Sequence, residues 1–344
     1  MLVVRVPRVG WSTRVQLRAV VVTGVALGAA LAVFVWGLTV GDFPLPVSEV
    51  VATLLGGGAG GSDFVVRTLR LPRGLTGLLV GAAFGLSGAI FQRIARNPLA
   101  SPDIIGVNAG AALAAVFAIV VADRGGTTLT LAALGGAAAA SIAVYALSWR
   151  NGVTGYRLVL VGIGVTAMLT AGISYLLTQA QIFEAQQAIV WLTGSLNGRT
   201  WDDVRPVAWA LALLVPVTVA LGRHLRLLEL GDDTARALGV PVERARGGLI
   251  LAGVALAAVA TASAGPIGFV ALVSPQIARR LVRDGSIALL PSAAVGSLLL
   301  VAAGLIGRRV FAPTELPVGL VTAVLGAPYL LVLLARANRI GAAG

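Results

Sequence analysis

The sequence predicts an all-α polytopic membrane protein with about ten transmembrane helices, on three observations. Hydrophobic residues fill 58% of the 344 positions and charged residues 12%, with a mean hydropathy of +0.94; no water-soluble domain of this size sustains that balance. Apolar windows repeatedly reach the roughly 20 residues that cross about 30 Å of hydrocarbon. These windows are rich in Ala, Leu, Val and Gly without alternation of period two, which selects helices over a barrel.

The spans are read near residues 17–40, 74–92, 104–122, 127–149, 158–180, 207–222, 247–263, 265–282, 287–307 and 317–335. The N-terminal segment through Arg18 is basic. The apolar run after it is too long for a signal-peptide core and no convincing small-residue cleavage site follows, so it is read as a retained first span behind a tail of residues 1–16. Pro72 lies where a helix begins and fixes the entry angle of the second span. Spans seven and eight must part at Gly265-Pro266. The uncharged sequence between Arg246 and Arg279 is too long for one crossing and short for two, proline lacks the N–H a helix interior needs, and glycine permits the turn. Residues 1–344 thus form one transmembrane domain.

Arginine placement orients the set. With the N-terminus inside, 18 of the 26 basic residues fall on inner connectors and tails and 8 outside, which satisfies the positive-inside rule with both termini cytoplasmic. All 26 are Arg. Without lysine there is neither a P-loop lysine nor a Schiff-base lysine, so the chain is not its own ATPase. Cysteine is absent and His224 is the single histidine, which removes disulfides, iron–sulfur clusters and a tightly held metal centre. His224 is expected at a solvated or headgroup level, beside Arg223 and Arg226. The net charge of +12 is spread over span ends without an aromatic platform, so anionic lipid headgroups account for it and nucleic acid does not.

Three connectors exceed what joining spans requires. The outer one, residues 41–73, has a Gly-rich tip at 56–61 and ends in Arg70 and Arg73. Those arginines either anchor the span at headgroups or meet an acidic partner, since outer arginines oppose the orientation bias. The inner connector, residues 228–247, carries Gly231-Asp232-Asp233 before Thr234 to Leu238 and stops at Gly239 and Pro241. It reads as one short helix with acids favoured at its N-terminus. Such a helix is marginal alone and needs a partner protein or a lipid surface. The outer segment 179–201 concentrates Gln179, Gln181, Gln186, Gln187 and Glu184, amides suited to a wet vestibule.

Six motifs then occur in order: RLPR with GAAFGLSGAIFQ (70–73, 81–92), RNPLASPDIIGVNAGA (96–111), WLTGSL (191–196), LGDDTARALGV (230–240), GPIGFVALVSPQIARRLV (265–282) and ELPVGLVTAVLGAPYLLVLLAR (315–336). Together they resemble the FecCD family, permease subunits of type II ABC importers for ferric siderophores, haem and cobalamin. Two departures stand out: Gln276 follows Pro275 where a His is common, and Ala302-Ala303-Gly304 replaces a frequently acidic neighbourhood, which leaves open which residue partners Arg308.

The resemblance implies two ten-helix permease subunits, identical or paralogous, each resting on a cytoplasmic ATPase subunit that binds ATP and Mg, with a substrate-binding protein docking outside. It implies no cofactor in this chain and places it in the bacterial cytoplasmic membrane. By motif position, Arg70, Arg73 and Arg308 become binding-protein docking residues. Leu230, Gly231, Asp232, Asp233, Thr234, Ala235, Leu238 and Gly239 become the ATPase-coupling helix. Thr154, Gly155 and Tyr156 fall near the inner constriction of the path, and Gln179 and Gln181 toward its outer end. A ferric siderophore is the expected cargo, with haem or cobalamin as the alternative. An ion-coupled carrier would place carboxylates or broken helices near the midplane, whereas the acids here mostly sit at span ends.

Overall fold

The computed structural model describes every residue except 1, 7–10, 42, 58–59, 151, 284–287 and 342–344, and only the backbone of 2–6, 11–15, 104 and 333–341. All ten predicted spans coincide with helices. In chain order these helices and their accessories are α1 (Leu17–Thr39), α2 (Val47–Leu54), α3 (Gly61–Asp63), α4 (Leu71–Ile94), α5 (Val107–Val120), α6 (Gly126–Ser148), α7 (Gly155–Gln179), α8 (Ile182–Leu192), α9 (Trp201–Glu229), α10 (Asp232–Ala237), α11 (Val242–Ala264), α12 (Val270–Val282), α13 (Leu289–Arg309) and α14 (Val318–Gly341). Ahead of α1, β1 (Leu2–Val6) pairs antiparallel with β2 (Trp11–Val15), an addition to the all-α reading.

The helix at the second span starts earlier than Pro72 suggests. A π-helical stretch, Phe64–Arg70, joins α3 to α4, making a continuous helix over Gly61–Ile94. Two other helices outrun their apolar cores. α9 continues to Glu229 because Leu225 and Leu228 are buried against protein, and α11 begins at Val242 with Arg246 buried. His224 therefore lies on α9, half-buried, with Nδ1 enclosed and lacking a hydrogen-bond partner, so it is less solvated than a free connector side chain.

Lipid tails are as apolar as leucine, so hydrophobicity alone does not gather these helices; close backbone approach and interhelical hydrogen bonds do. α4 sits at the centre, packed by α9, α11, α12 and α13. A Cβ on Gly81 would stand 2.4 Å from the Gly296 carbonyl of α13, one on Gly85 2.2 Å from that of Ser292, and one on Gly88 1.8 Å from that of Ala271 on α12. Gly110 and Gly136 make a similar crossing of α5 and α6. Hydroxyls reinforce the contacts: Ser87 Oγ donates to the Gly253 carbonyl and Ser297 Oγ to that of Leu78, each at 2.7 Å. Each such bond contributes about 0.6–2 kcal/mol in a membrane.

The break at Gly265-Pro266 falls where expected. α11 ends at Ala264, and Gly265 takes φ +78° beside the Trp191 carbonyl. The freed backbone is satisfied by the WLTGSL segment: the Ser195 amide donates to the Ala264 carbonyl at 2.8 Å, and the Gly319 amide of α14 donates to the Gly194 carbonyl at 3.1 Å. Three of the six motifs therefore meet at one backbone junction.

Candidate functional site

The two ends of the bundle carry different polar clusters. At one end, Arg70, Arg73 and Arg308 line a cavity between α1, α4 and α13 of about 50 Å³. Arg70 is 5% exposed. Its Nη1 donates to the Leu38 carbonyl at 2.7 Å and its Nη2 to that of Phe43 at 2.5 Å, so it ties off the end of α1. Arg73 Nη1 instead donates to both oxygens of Glu315 at 3.0 Å, and Arg308 Nε approaches the same carboxylate at 3.7 Å. Gly41 makes room for this packing, because a Cβ there would sit 2.0 Å from Arg308 Nη2. Glu315 is the acidic partner of Arg308 that the Ala302-Ala303-Gly304 stretch lacks. The motif ELPVG contained the signal, a lone acid opening the last span.

At the opposite end, α10 starts from Gly231 at φ +110° and stops at Gly239 with φ +79°. Asp232 accepts from Arg246 Nη2 at 2.6 Å and lies 3.4 Å from Arg96 Nη2. The Arg246 hydrogen bond is the main reason its carboxyl is held below the usual range, with burial opposing. Ala235 is fully buried within the chain's own core, whereas Asp233, Thr234, Leu238 and Gly239 are exposed, as is Leu230 before the helix. The surface that α10 can offer a partner is thus made by Leu230, Asp233, Thr234, Leu238 and Gly239 rather than Ala235.

Beside α10 lies the entry to α7. Arg157 Nε donates to Thr154 Oγ1 at 3.1 Å. Gly155 packs on the end of α4, where a Cβ would be 2.8 Å from Ala95 Cα. Tyr156 is 77% exposed at the start of a helix whose exposed face continues through Leu160, Ile163, Met168 and Tyr175. Gln179 ends α7, exposed. Gln181 does more than line a surface: it is the N-cap of α8, its side chain accepting from the Glu184 amide while Glu184 Oε2 accepts from the Gln181 amide at 3.0 Å.

A buried polar group joins the motifs on the α10 side. Gln276 Nε2 donates to Gln92 Oε1 at 2.5 Å and to the Pro98 carbonyl at 3.1 Å, and Gln92 Nε2 donates to that of Leu272 at 2.9 Å. The residue replacing histidine thus clamps α12, α4 and the RNPL turn together. Next to it, Asp103 accepts from Ser101 Oγ at 3.4 Å and from Asn108 Nδ2, while Asn108 Oδ1 accepts from Thr261 Oγ1 at 2.5 Å. Among the described residues no cluster of His, Cys, Asp or Glu could hold a metal ion.

The arrangement therefore offers a charged mouth, an exposed helix face at the entry to α7, and backbone-tight helix crossings between them. Comparison with known proteins agrees. The model of the FecCD transport family matches residues 12–336. The chain is 45% identical over 325 residues to the ferric enterobactin transport system permease protein FepG of Escherichia coli, covering 94% of this chain and 98% of that one. It is 42% identical over 329 residues to the achromobactin permease CbrC of Dickeya dadantii, covering 95% and 94%. It is 36% identical over 326 residues to the cobalamin import permease BtuC of Halobacterium salinarum, covering 93% and 88%. A solved inward-facing structure of a metal-chelate type ABC transporter superposes with a TM-score of 0.83 at 28% identity, covering 92% of this chain and 99% of that one. The chain belongs to the FecCD transport family, and is a membrane-spanning ABC importer permease.

Proposed function

We propose that this chain conducts ferric siderophores across the cytoplasmic membrane, receiving them from an extracytoplasmic binding protein and releasing them to the cytoplasm. The observation that carries the cargo is the 45% identity to a ferric enterobactin permease along 98% of its length. In this reading the chain pairs with a second permease, identical or paralogous, and two ATPase subunits bind and hydrolyse ATP with Mg. The Arg73–Glu315–Arg308 end faces outward and meets acidic side chains of the binding protein. The exposed face of α10 seats on the ATPase, and both termini are cytoplasmic.

Transport then needs no covalent chemistry. ATP draws the cytoplasmic subunits together, α10 carries their displacement into the bundle, and the path opens alternately outward and inward. Thr154, Gly155 and Tyr156 stand at the inner constriction, and Gln179 and Gln181 at the outer mouth, where uncharged amides suit a bulky chelate passing without tight binding. The cobalamin permease relative supports a second reading in which the cargo is a corrinoid.

The test is uptake in proteoliposomes containing both permeases, the ATPase and the binding protein. Labelled ferric catecholate, ferric citrate, haem and cobalamin are supplied in turn. ATP-dependent accumulation of a ferric siderophore alone is the expected result. Accumulation of cobalamin or haem without ferric siderophore would replace the proposal.

A further inference from the structure

The buried guanidinium of Arg246 joins α10 and α11 to a turn 93 positions away in the chain. Its side chain is 8% exposed in the second turn of α11. Nη2 holds Asp232 of α10 at 2.6 Å, and Nη1 donates to the Val153 carbonyl at 2.7 Å, one residue before Thr154. Glu243, one turn earlier on the same helix, lies 3.6 Å from Arg246 Nη1. Its carboxylate also presses on Gly152, where a Cβ would stand 2.7 Å from Oε1 and φ is +106°. Val153 itself is 1% exposed. The turn that opens α7 is therefore gripped from one side by Glu243 and Arg246, and Arg246 is gripped by α10.

We infer that Arg246 is a positioning residue that transmits displacement of α10 to the 152–156 turn, so that seating of a cytoplasmic partner on α10 sets the opening at Tyr156. This rests on the reading of α10 as the ATPase-facing helix and deepens it. The geometry fits a rigid link. A planar guanidinium presents its donors in a fixed fork, so one nitrogen bonds the carboxylate while another bonds the carbonyl. Burial on α11, whose neighbouring Ala245 and Leu249 are also buried, leaves the fork little freedom to rotate. A displaced Asp232 must then either drag Arg246 or give up the 2.6 Å bond and leave the buried guanidinium only the looser Glu243 contact at 3.6 Å, which is costly. The Gly155 contact with Ala95 carries the same motion to the end of α4.

The experiment uses the full reconstituted importer and the absence of cysteine from the chain. A Tyr156→Cys reporter is labelled with a membrane-impermeant maleimide admitted to the inner face, with and without ATP and vanadate. In the parent, nucleotide is expected to change the labelling rate by about tenfold, within the usual span of coupling between sites. In the Arg246→Gln background, ATPase subunits should remain bound and hydrolyse ATP; Asp232→Asn, on α10 itself, is read for labelling and cargo moved per ATP alone. The nucleotide effect on labelling should fall below about twofold, and cargo moved per ATP should drop about tenfold. Arg246→Lys should recover only part of both, since an ammonium is one point charge where two bonds are needed. The reversal Asp232→Arg with Arg246→Asp should not recover them, because an aspartate cannot donate to Val153. An undiminished nucleotide effect in both single variants would overturn the inference, as would full recovery by the reversal. Loss of ATPase binding in Arg246→Gln would also overturn it, by making Arg246 part of the seat. A Leu238→Asp variant that still binds the ATPase would instead refute the α10 reading while leaving the labelling result to stand by itself.

Discussion

Arg73 and Glu315 lie 242 positions apart yet form a forked contact, with Arg73 Nη1 3.0 Å from each carboxylate oxygen. With Arg308 3.7 Å from the same acid, one carboxylate faces two guanidiniums. The shared carboxylate sits at a partly open mouth, since Arg73 is 17% and Glu315 29% exposed.

That sharing separates docking from structure. Arg73→Gln should weaken binding-protein affinity on the order of tenfold, while Glu315→Gln, which removes the competing acid, should strengthen it. Both should lower the melting temperature, because each breaks the same pair. Titration of the binding protein at two salt concentrations measures this, with the difference shrinking as salt screens the charges. Affinity moving the same way in both variants would leave the pair a purely structural one.

The glycine crossings give a packing prediction with an internal control. Gly85→Ala forces a Cβ onto the Ser292 carbonyl, whereas nothing lies within 4 Å of a Cβ on Gly28 of α1. The first should cost about 1–3 kcal/mol or more and reduce the yield of monodisperse protein. The second should be neutral or gain up to about 1 kcal/mol of helix propensity. Thermal denaturation in one detergent compares them.

Seven of the helices were legible because hydrocarbon thickness imposes a length on their apolar runs, whereas α5 and α12, of 14 and 13 residues, are shorter than that length. The ends of α9 and α11 were not, because there protein rather than lipid buries the surface: Leu225 and Leu228 are packed, and Arg246 is enclosed despite its charge. Motif order placed Arg70, Arg73 and Arg308 at one mouth but could not pair them. Arg70 proves to be committed to backbone carbonyls of residues 38 and 43, and Glu315 to two arginines. The Gln276 substitution was visible in sequence, whereas its bond to Gln92 across 184 positions required the fold.

Asp103, in the connector between α4 and α5, gives a pH signature. Burial pushes its carboxyl up from 3.8 to about 6, against the pull of hydrogen bonds from Ser101 and Asn108. Because the folded value lies above the unfolded one, the folded state holds the extra proton between those values. Its contribution is therefore most favourable below the unfolded value and is lost as pH rises to about 6. Asp103→Asn should abolish this dependence and gain up to about 3 kcal/mol at neutral pH relative to the parent. Melting curves at pH 5 and 7.5 should converge for the variant and differ for the parent.

Topology follows from two well-exposed leucines. Leu55, after α2, is 84% exposed and Leu238, after α10, is 57% exposed. Leu55→Cys should react with an impermeant maleimide on intact spheroplasts, and Leu238→Cys only after permeabilisation. The opposite pattern would invert the orientation, and reaction at both on intact cells would break the assignment of the two clusters to opposite faces.

The two faces of α10 make the sharpest distinction. Leu238 is exposed and Ala235 is wholly buried in the chain's own core. An unpaired charge is costly only where it loses water. Leu238→Asp should thus leave the isolated permease as stable as the parent, within about 0.5 kcal/mol, and still accept the binding protein, while abolishing co-purification of the ATPase and ATP-dependent uptake. Ala235→Asp should destabilise the permease itself, before any partner is added. If Leu238→Asp retained the ATPase and full uptake, the exposed face of α10 would be a solvated or lipid-facing turn, and the seat of the ATPase would have to be sought elsewhere on that end of the bundle.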